Sequence, residues 1–489
     1  MTLNRRDFVK GVAVVPILTA SPISIESSRE LVNDVHTGLN PTWVDHVVRP
    51  TSIGEIQNVI HESRRENKVI SISGSRHAAG GQQFAENSAL LDMRGFNRVI
   101  GLDTSTGILQ VQSGIEWPVL LRGYLALQTQ QPLWGIRQKQ GGADRMTLAG
   151  AISANAHGHC LGSPPFIADV EWFEIVTAEG KIERCDRKEN RELFTLAIGG
   201  YGLFGIITTV GLRLARRNKL RRRVEKRTLA ELLPLIEKRA KSGAPYGYFQ
   251  YCIDETSDEF MRAGVLTTYE PVAAAAAIDS ESKDIDSELL AALLELAHLD
   301  RGAAYRQYAT LELARDGEIE WSDLHQLSSY PAGYHKKIEN HRGPELAGAD
   351  LILEVYLPRQ QLISFVEDAR YQLLKSGMPL VYGTVRFIER DQESFLAWAK
   401  QSYACVIFTP HVASGNSEMQ RARDICRHLE RAATKRGGSF YLTYNRFAAR
   451  SELDAAYPQF SDFLMLKKKY DPSEIFQSQW YRYYQQLYK

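Results

Sequence analysis

The chain has 489 residues, 44% hydrophobic and 24% charged, an ordinary globular make-up that excludes a largely disordered chain. Its 59 Lys and Arg stand against 58 Asp and Glu, which argues against a dedicated nucleic-acid binder, because such proteins need a local excess of positive charge to displace counterions from phosphates. Cys160, Cys185, Cys252, Cys405 and Cys426 are scattered and odd in number, which argues against a disulfide framework or a closed zinc site, and no apolar run is long enough to span a bilayer.

The first residues read MTLNRRDFVKGVAVVPILTASPIS. A charged stretch with Arg5, Arg6 and Lys10 precedes a short apolar run from Gly11 to Ala20 and then small residues, the layout of a cleavable export signal. Over residues 1–25 the pattern resembles the twin-arginine signal, a receptor-read address and not an anchor. It implies a chain handed folded to the twin-arginine export machinery, often with a cofactor inside, and a periplasmic or secreted protein with no stable membrane anchor.

From residue 40 to 215, short β-branched runs alternate with helical stretches and glycine-rich turns. Ile53, Ile56, Val59 and Ile60 recur at helical spacing within Ile53–Glu66. Lys68–Ser73, Ser88–Asp92 and Ile108–Ser113 read as strands, and Ile175–Cys185 as a hairpin turning at Gly180. Ile206–Leu214 is a strongly β-branched strand. After Arg216 the composition changes: Arg217–Arg223 is basic, Leu229–Lys241 is an amphipathic helix, and Val272–Glu295 is either a surface helix or an insertion. Strands are predicted at Leu351–Pro358, Leu380–Ile388 and Ala404–Thr409, with helices at Gln360–Lys375 and Ser417–Lys435. This middle part reads as an α+β unit.

Three stretches carry little side-chain bulk. In the first, Gly74, Ser75, Arg76, His77, Ala78, Gly80, Gly81 and Gln82 follow a strand directly, and small residues there let backbone N–H groups approach a pyrophosphate. The loop does not match G-x-G-x-x-G, so a Rossmann NAD site is not supported. The second runs from Gly141 through Gly142, Ala143, Gly150, Ala151, Ser153, Asn155, His157 and Gly158, and lets backbone lie flat against a large planar ligand. The third, Ile198–Ile207, leads through Gly205, Ile206 and Ile207 into a strand.

In this order the three stretches resemble the flavin domain of the vanillyl-alcohol-oxidase-type family, the PCMH-type FAD-binding fold. So does the closing segment Lys469–Ser478. Within that family the likeness is nearest to aldonolactone, alditol and decaprenylphosphoryl-ribose oxidoreductases. The resemblance implies an α+β fold: a two-subdomain FAD-binding domain over 40–215, a separate α+β substrate or cap domain over 216–438, and residues 439–489 returning to the FAD domain. It implies FAD as cofactor, its pyrophosphate on the first loop, the second stretch alongside the flavin and the third reaching the ring.

The resemblance also sets expectations for the chemistry. His77 stands where many members carry a histidine bonded to the flavin; the alternative is a loop histidine that hydrogen-bonds phosphate or backbone. His157 reads as a structural histidine beside the flavin, with no metal role. Alditol-type members use an E-x-R strand, and this chain has Thr384-Val385-Arg386 instead, with the arginine but not the acid. Lactone and ribose oxidoreductases place a lysine in the returning segment, where this chain has Tyr444. Arg386 is therefore the candidate for orienting substrate or polarising its oxygen, and Tyr444 for proton acceptor or hydrogen-bond partner. Glu354 and Tyr356 share one face of a strand and line either a cleft or an exposed sheet face. The implied reaction is hydride transfer to flavin N5 from a CH–OH group of a sugar-like, polyol or lactone substrate, with oxygen or another acceptor taking the electrons. The alternatives are an amine or secondary metabolite as donor, or a flavin-binding electron carrier without catalysis.

Overall fold

The computed structural model describes residues 29–128, 133–278, 287–324, 334 and 347–489. The expected export signal at residues 1–25 lies outside the described residues, as do residues 279–286 of the alanine-rich stretch.

Helix Ile53–Glu66 forms where the apolar spacing places it. The Ser52 side chain caps its first turn by accepting from the Glu55 N–H at 3.3 Å, and Asn67 ends it in the left-handed conformation at φ +52°. Its buried residues Ile56 and Ile60 pack against Ile70, Leu91, Val176, Ile206 and Phe476. The helix serves as a crossover between parallel strands: His46–Val48, Ser88–Asp92 and Val69–Ser73 form a three-stranded sheet with Ser88–Asp92 in the centre. The outer edge of Val69–Ser73 is covered from the far end of the chain, since Ile70 N donates to Ile475 O at 2.6 Å and Gln477 N donates to Ile70 O at 2.8 Å.

A second, antiparallel sheet runs in the order Ile182–Asp186, Val170–Val176, Ile206–Arg213, Ile108–Gln112, Val99–Asp103. The predicted hairpin is its first pair, with Gly180 at φ +80° in the turn. The third sheet is the largest, with nine strands. Its main path is Ile319–Trp321, Lys219–Thr228, Ala263–Pro271, Tyr246–Tyr251, Leu380–Ile388, Tyr403–Ala413, Leu353–Pro358 and Ser439–Phe440, with Gly348–Asp350 pairing Tyr403–Ala413 beyond Leu353–Pro358. The expected strand Leu351–Pro358 forms over Leu353–Pro358, and Gly348–Asp350, ahead of its expected start, pairs with the same neighbour. The basic run at 217–223 proves to be mostly strand: Leu220, Arg222 and Val224 alternate inward, and the buried Arg222 guanidinium reaches Glu312 at 2.8 Å. Helices Leu229–Lys241, Ser287–Leu299, Arg301–Leu313, Leu362–Ser376 and Asn416–Lys435 accompany this α+β arrangement. One hydrophobic core runs from the second sheet into the third, joining Val210 and Phe173 to Val355, Phe408 and Tyr441.

The C-terminus is held by a buried ion pair. Lys467 and Asp471, one helical turn apart, are both fully buried and in contact. Asp471 also accepts from the backbone N–H groups of Ile475 and Phe476 at 3.1 and 2.9 Å, so one carboxylate shapes the turn that brings Phe476 to Ile70. Removing one partner leaves a buried charge unmatched. Asp471→Ala is expected to lower the unfolding free energy by about 3–5 kcal/mol in urea denaturation; a change below about 1 kcal/mol would show that the pair does not hold the segment.

Candidate cofactor and active site

The first loop touches the second at its first residue. A Cβ on Gly74 would lie 2.1 Å from the Thr147 hydroxyl oxygen, so only glycine permits this approach. Thr147 in turn caps helix Leu148–Ser153, accepting from Gly150 N at 3.3 Å. Ser75 donates to Glu116 at 2.7 Å, and Arg76 sits at φ +64°. The second half of the loop is a joint to the returning C-terminal segment. Ala79 N and Gly80 N donate to Thr443 O at 3.2 and 3.0 Å, the Gln82 amide donates to Leu442 O at 2.7 Å, and Gly81 O accepts from Trp480 N at 3.1 Å. A phosphate would therefore be held by Gly74, Ser75, Arg76, His77 and Ala78.

The second and third stretches are laced together. Gly199 N donates to Ile152 O and Tyr201 N to Ser153 O, both at 3.0 Å. Gly158 crosses the chain at Lys139, where a Cβ would stand 2.2 Å from the carbonyl oxygen. Gly202 lies over Ile72, closing the triangle back to the first strand. A cleft results, lined among others by Ile72, Ala149, Ser153, Gly202, Gly205 and Ile207. Ala151 is buried in the core beneath it, and Ile206 faces the opposite way, into the cluster of Ile56 and Ile60. Ala143 is buried, its carbonyl accepting from the Gln140 amide at 2.7 Å, next to Gly142 at φ +94°. Asn155 is a joint: its amide donates to Asp391 at 2.8 Å and Ser394 at 3.1 Å, and its carbonyl accepts from the Trp398 indole at 3.0 Å.

These residues offer the small side chains and unpaired donors that a dinucleotide needs, in a cleft whose free space, about 30 Å³, would have to widen to admit a planar ring. The cleft walls carry glycine, alanine, serine and isoleucine together with the bulkier Met93 and Phe204, and the buried Ser73 hydroxyl and Arg76 Nε have no hydrogen-bond partner in the protein. A group rich in acceptor oxygens satisfies such donors.

Beside the second stretch stands a polar cluster on one face of the large sheet. Strand register explains it: Thr384 pairs with Ile407, which pairs with Glu354, and Arg386 pairs with Cys405, which pairs with Tyr356. Directly opposed residues, and residues two apart, share a face. Glu354 Oε1 accepts from Tyr356 OH at 2.6 Å and from the Cys405 thiol at 3.3 Å, and it meets His157 Nε2 in a close contact. Burial pushes the Glu354 carboxyl up, but His157, Tyr356 and Arg386 outweigh it and hold the group below the ordinary carboxylate range. Arg386 is buried against the second stretch, where a Cβ on Gly141 would come within 2.4 Å of its guanidinium. Tyr444 packs edge-on to Tyr441 at 5.5 Å. Burial raises its phenol well above its usual range, reinforced by the Glu354 charge and opposed by Arg386.

The structure thus brings Arg386 and Tyr444 together with His157, and adds groups the sequence reading did not select. Glu354 was recognised only as a residue on one strand face, and its partners come from strands that pairing alone brings alongside. Lys139, fully buried and 3.1 Å from Asp144, carried no sequence signal. His159 packs at a tilt on Tyr248, 4.6 Å between ring centres, so the His-x-His spacing does not unite its rings. Cys160 is a buried thiol that donates to Arg137 O at 3.2 Å.

His77 is half-buried, with Nδ1 3.2 Å from His36 Nε2. Burial, together with His36, pushes its imidazole down to about 3, against the opposing hydrogen bond to the Arg145 backbone. The folded state therefore holds the ring neutral, whereas the unfolded chain takes up a proton below about 6.5. Stability is expected to fall as pH drops from about 6.5 towards 3, with this one group contributing up to about 1.4 kcal/mol per pH unit. Urea unfolding of cofactor-free His77→Gln should show a shallower pH slope over that window; an unchanged slope would assign the acid sensitivity elsewhere.

Comparison with known proteins bears on the same residues. Residues 44–186 match the FAD binding domain family. The chain is 25% identical over 205 residues to L-gulono-1,4-lactone dehydrogenase of Mycobacterium tuberculosis, covering 42% of this chain and 46% of that protein. It is 26% identical over 207 residues to L-gulonolactone oxidase of Bos taurus, covering 42% and 44%. It is 27% identical over 176 residues to cytokinin dehydrogenase 1 of Arabidopsis thaliana, covering 34% and 29%. The chain thus spans less than half the length of these relatives. Among the described residues, no helix is long and apolar enough to cross a membrane. Residues 44–186 are an FAD-binding domain of the PCMH type, and FAD is the cofactor of this protein.

Proposed function

We propose that the protein is an FAD-dependent oxidoreductase that removes hydride from a CH–OH group of a sugar-like, polyol or lactone substrate. The observation that carries this reading is the row Thr384, Ile407, Glu354 across three paired strands. The acid absent from residue 384 has a counterpart on the same sheet face, two strands away and about 10 Å across. In this reading residues 40–215 with 439–489 hold the cofactor, residues 216–438 cap the substrate, and the substrate meets the flavin where His157 meets Glu354. The lactone-acting relatives support the donor class.

Bound FAD supplies the redox chemistry by taking the hydride from the donor carbon. Glu354, ionised and fixed by three donors on one oxygen, receives the proton of the substrate hydroxyl, and His157 shares it. Arg386 orients the substrate oxygen, and Tyr444, its phenol kept protonated, donates a hydrogen bond to substrate. A neutral His77 has a ring nitrogen lone pair with which to form a bond to the flavin, so covalent attachment belongs to this reading. Export of the folded protein by the twin-arginine machinery, to the periplasm or beyond the cell, also belongs to it. Oxygen or another acceptor completes the cycle.

Similarity to a cytokinin dehydrogenase supports a second donor class, amines and secondary metabolites. A flavin-binding electron carrier is the remaining alternative. Anaerobic mixing with L-gulono-1,4-lactone, alditols and amines separates the three, read as loss of flavin absorbance. Bleaching by lactones or polyols is expected; bleaching by amines alone favours the second class, and none with any donor favours the carrier. Glu354→Gln is expected to retain FAD and to lower kcat 10²–10⁴-fold, the range for loss of a general base. Gly158→Ala forces backbone apart at Lys139; overpacking of about 1–3 kcal/mol should weaken FAD retention roughly ten- to hundredfold. Acid precipitation tests the covalent bond: yellow wild-type pellet and colourless His77→Ala pellet are expected, and a colourless wild-type pellet refutes it.

A further inference from the structure

His298, Asp350 and His411 come from three separate elements: helix Ser287–Leu299, strand Gly348–Asp350 and strand Tyr403–Ala413. Their side chains are 1%, 3% and 11% exposed, so two imidazoles and a carboxylate share a nearly dry site. Both rings aim at the same oxygen. His298 Nε2 lies 3.1 Å and His411 Nδ1 2.8 Å from Asp350 Oδ1, with the rings nearly perpendicular at 81° and their centroids 4.7 Å apart. One donor atom from each residue falls within a 4.8 Å span.

The hydrogen bonds around the cluster set its polarity. His298 Nδ1 lies 2.7 Å from the Leu294 carbonyl oxygen, which only accepts, so Nδ1 carries a proton. Nε2 then faces the carboxylate oxygen either as an N–H of the charged ring, an ion pair with Asp350, or as a lone pair, in which case a cation stands between the two. Backbone carbonyls that fix the far nitrogen of a histidine, and phenols that fix the far oxygen of a carboxylate, are the usual outer partners of metal ligands. Here Leu294 does the first, and Tyr334, donating to Asp350 Oδ2, does the second.

We propose that His298, Asp350 and His411 bind a divalent cation of the zinc type. Zinc–ligand bonds of about 2.0–2.2 Å at tetrahedral angles put ligand atoms about 3.3 Å apart, close to the two separations seen here. Nitrogen and carboxylate donors suit zinc better than magnesium or calcium, which prefer all-oxygen sites. The site lies away from the redox centre, since His411 and Cys405 are six residues apart on one strand, about 20 Å. Its effect is structural: it pins helix Ser287–Leu299 to the large sheet.

The test uses purified full-length protein stripped with chelator and titrated with Co²⁺, then Zn²⁺. One Co²⁺ per chain is expected, with visible ligand-field bands, displaced by Zn²⁺. A near-ultraviolet thiolate charge-transfer band should be absent; its presence would place the ion at His157, Glu354 and Cys405 instead and overturn the assignment. His298→Asn and Asp350→Asn should each weaken Co²⁺ binding at least a hundredfold while flavin absorbance shows the fold intact. Equal affinity in the variants, or no binding to wild type, overturns the site. Should the variants not fold, thermal unfolding of chelator-stripped wild type decides: Zn²⁺ should raise the midpoint, as a ligand of the folded state does, and an unchanged midpoint overturns the site.

Discussion

The molecule depends on close approaches at glycine where a further side chain would not fit. Gly74 against Thr147 and Gly158 against the Lys139 carbonyl bring the first loop, the second stretch and the chain before it within van der Waals reach. The third stretch then joins through the carbonyls of Ile152 and Ser153. A cleft with small-residue walls follows from these approaches. A dinucleotide gains most from such walls, because main-chain donors and a flat surface can reach it together.

The same crossing fixes the acid–base cluster. Gly158 and Lys139 hold the second stretch where His157 meets Glu354 across an otherwise apolar core, and where Gly141 lies against the Arg386 guanidinium. A buried carboxylate without partners would go neutral. Here one oxygen is engaged by histidine, tyrosine and cysteine. Trp398 and Tyr441 pack on His157 at 5.2 and 6.4 Å between ring centres, limiting the ring's freedom to leave that carboxylate. Cofactor cleft and acid–base cluster are therefore two consequences of one packing arrangement.

What the sequence revealed, and what it hid, follows from the range of each interaction. Helices Ile53–Glu66 and Leu229–Lys241 and strand Leu380–Ile388 were legible because their apolar periodicity is local. Strand Lys219–Thr228 was hidden because arginine and lysine dominate it, and the inward Arg222 is matched by Glu312, 90 residues on. The small-residue stretches were legible as cofactor surface, but the use of Ala79–Gln82 as a joint depends on Leu442 and Thr443, some 360 residues away. Glu354 illustrates the limit best: its strand face could be read, but its place beside Arg386 depends on the order of strands in the sheet, which no single stretch encodes.

The closing segment bears on when the fold can be completed. Ile70 exchanges backbone hydrogen bonds with residues 475 and 477, Gly81 accepts from Trp480, and Trp480 donates from its indole to Leu442 at 3.1 Å. The edge of the first sheet and the floor of the first loop are thus finished by residues about 400 positions further along the chain. Contacts of such sequence separation form late, because loop closure must be met before they stabilise anything. A chain built this way reaches its cofactor-holding form only once residues 475–480 have returned to the first sheet. The export route proposed for it, which accepts chains already folded, suits that order; a route that threads the chain unfolded would leave the cleft to form without the cell's FAD supply.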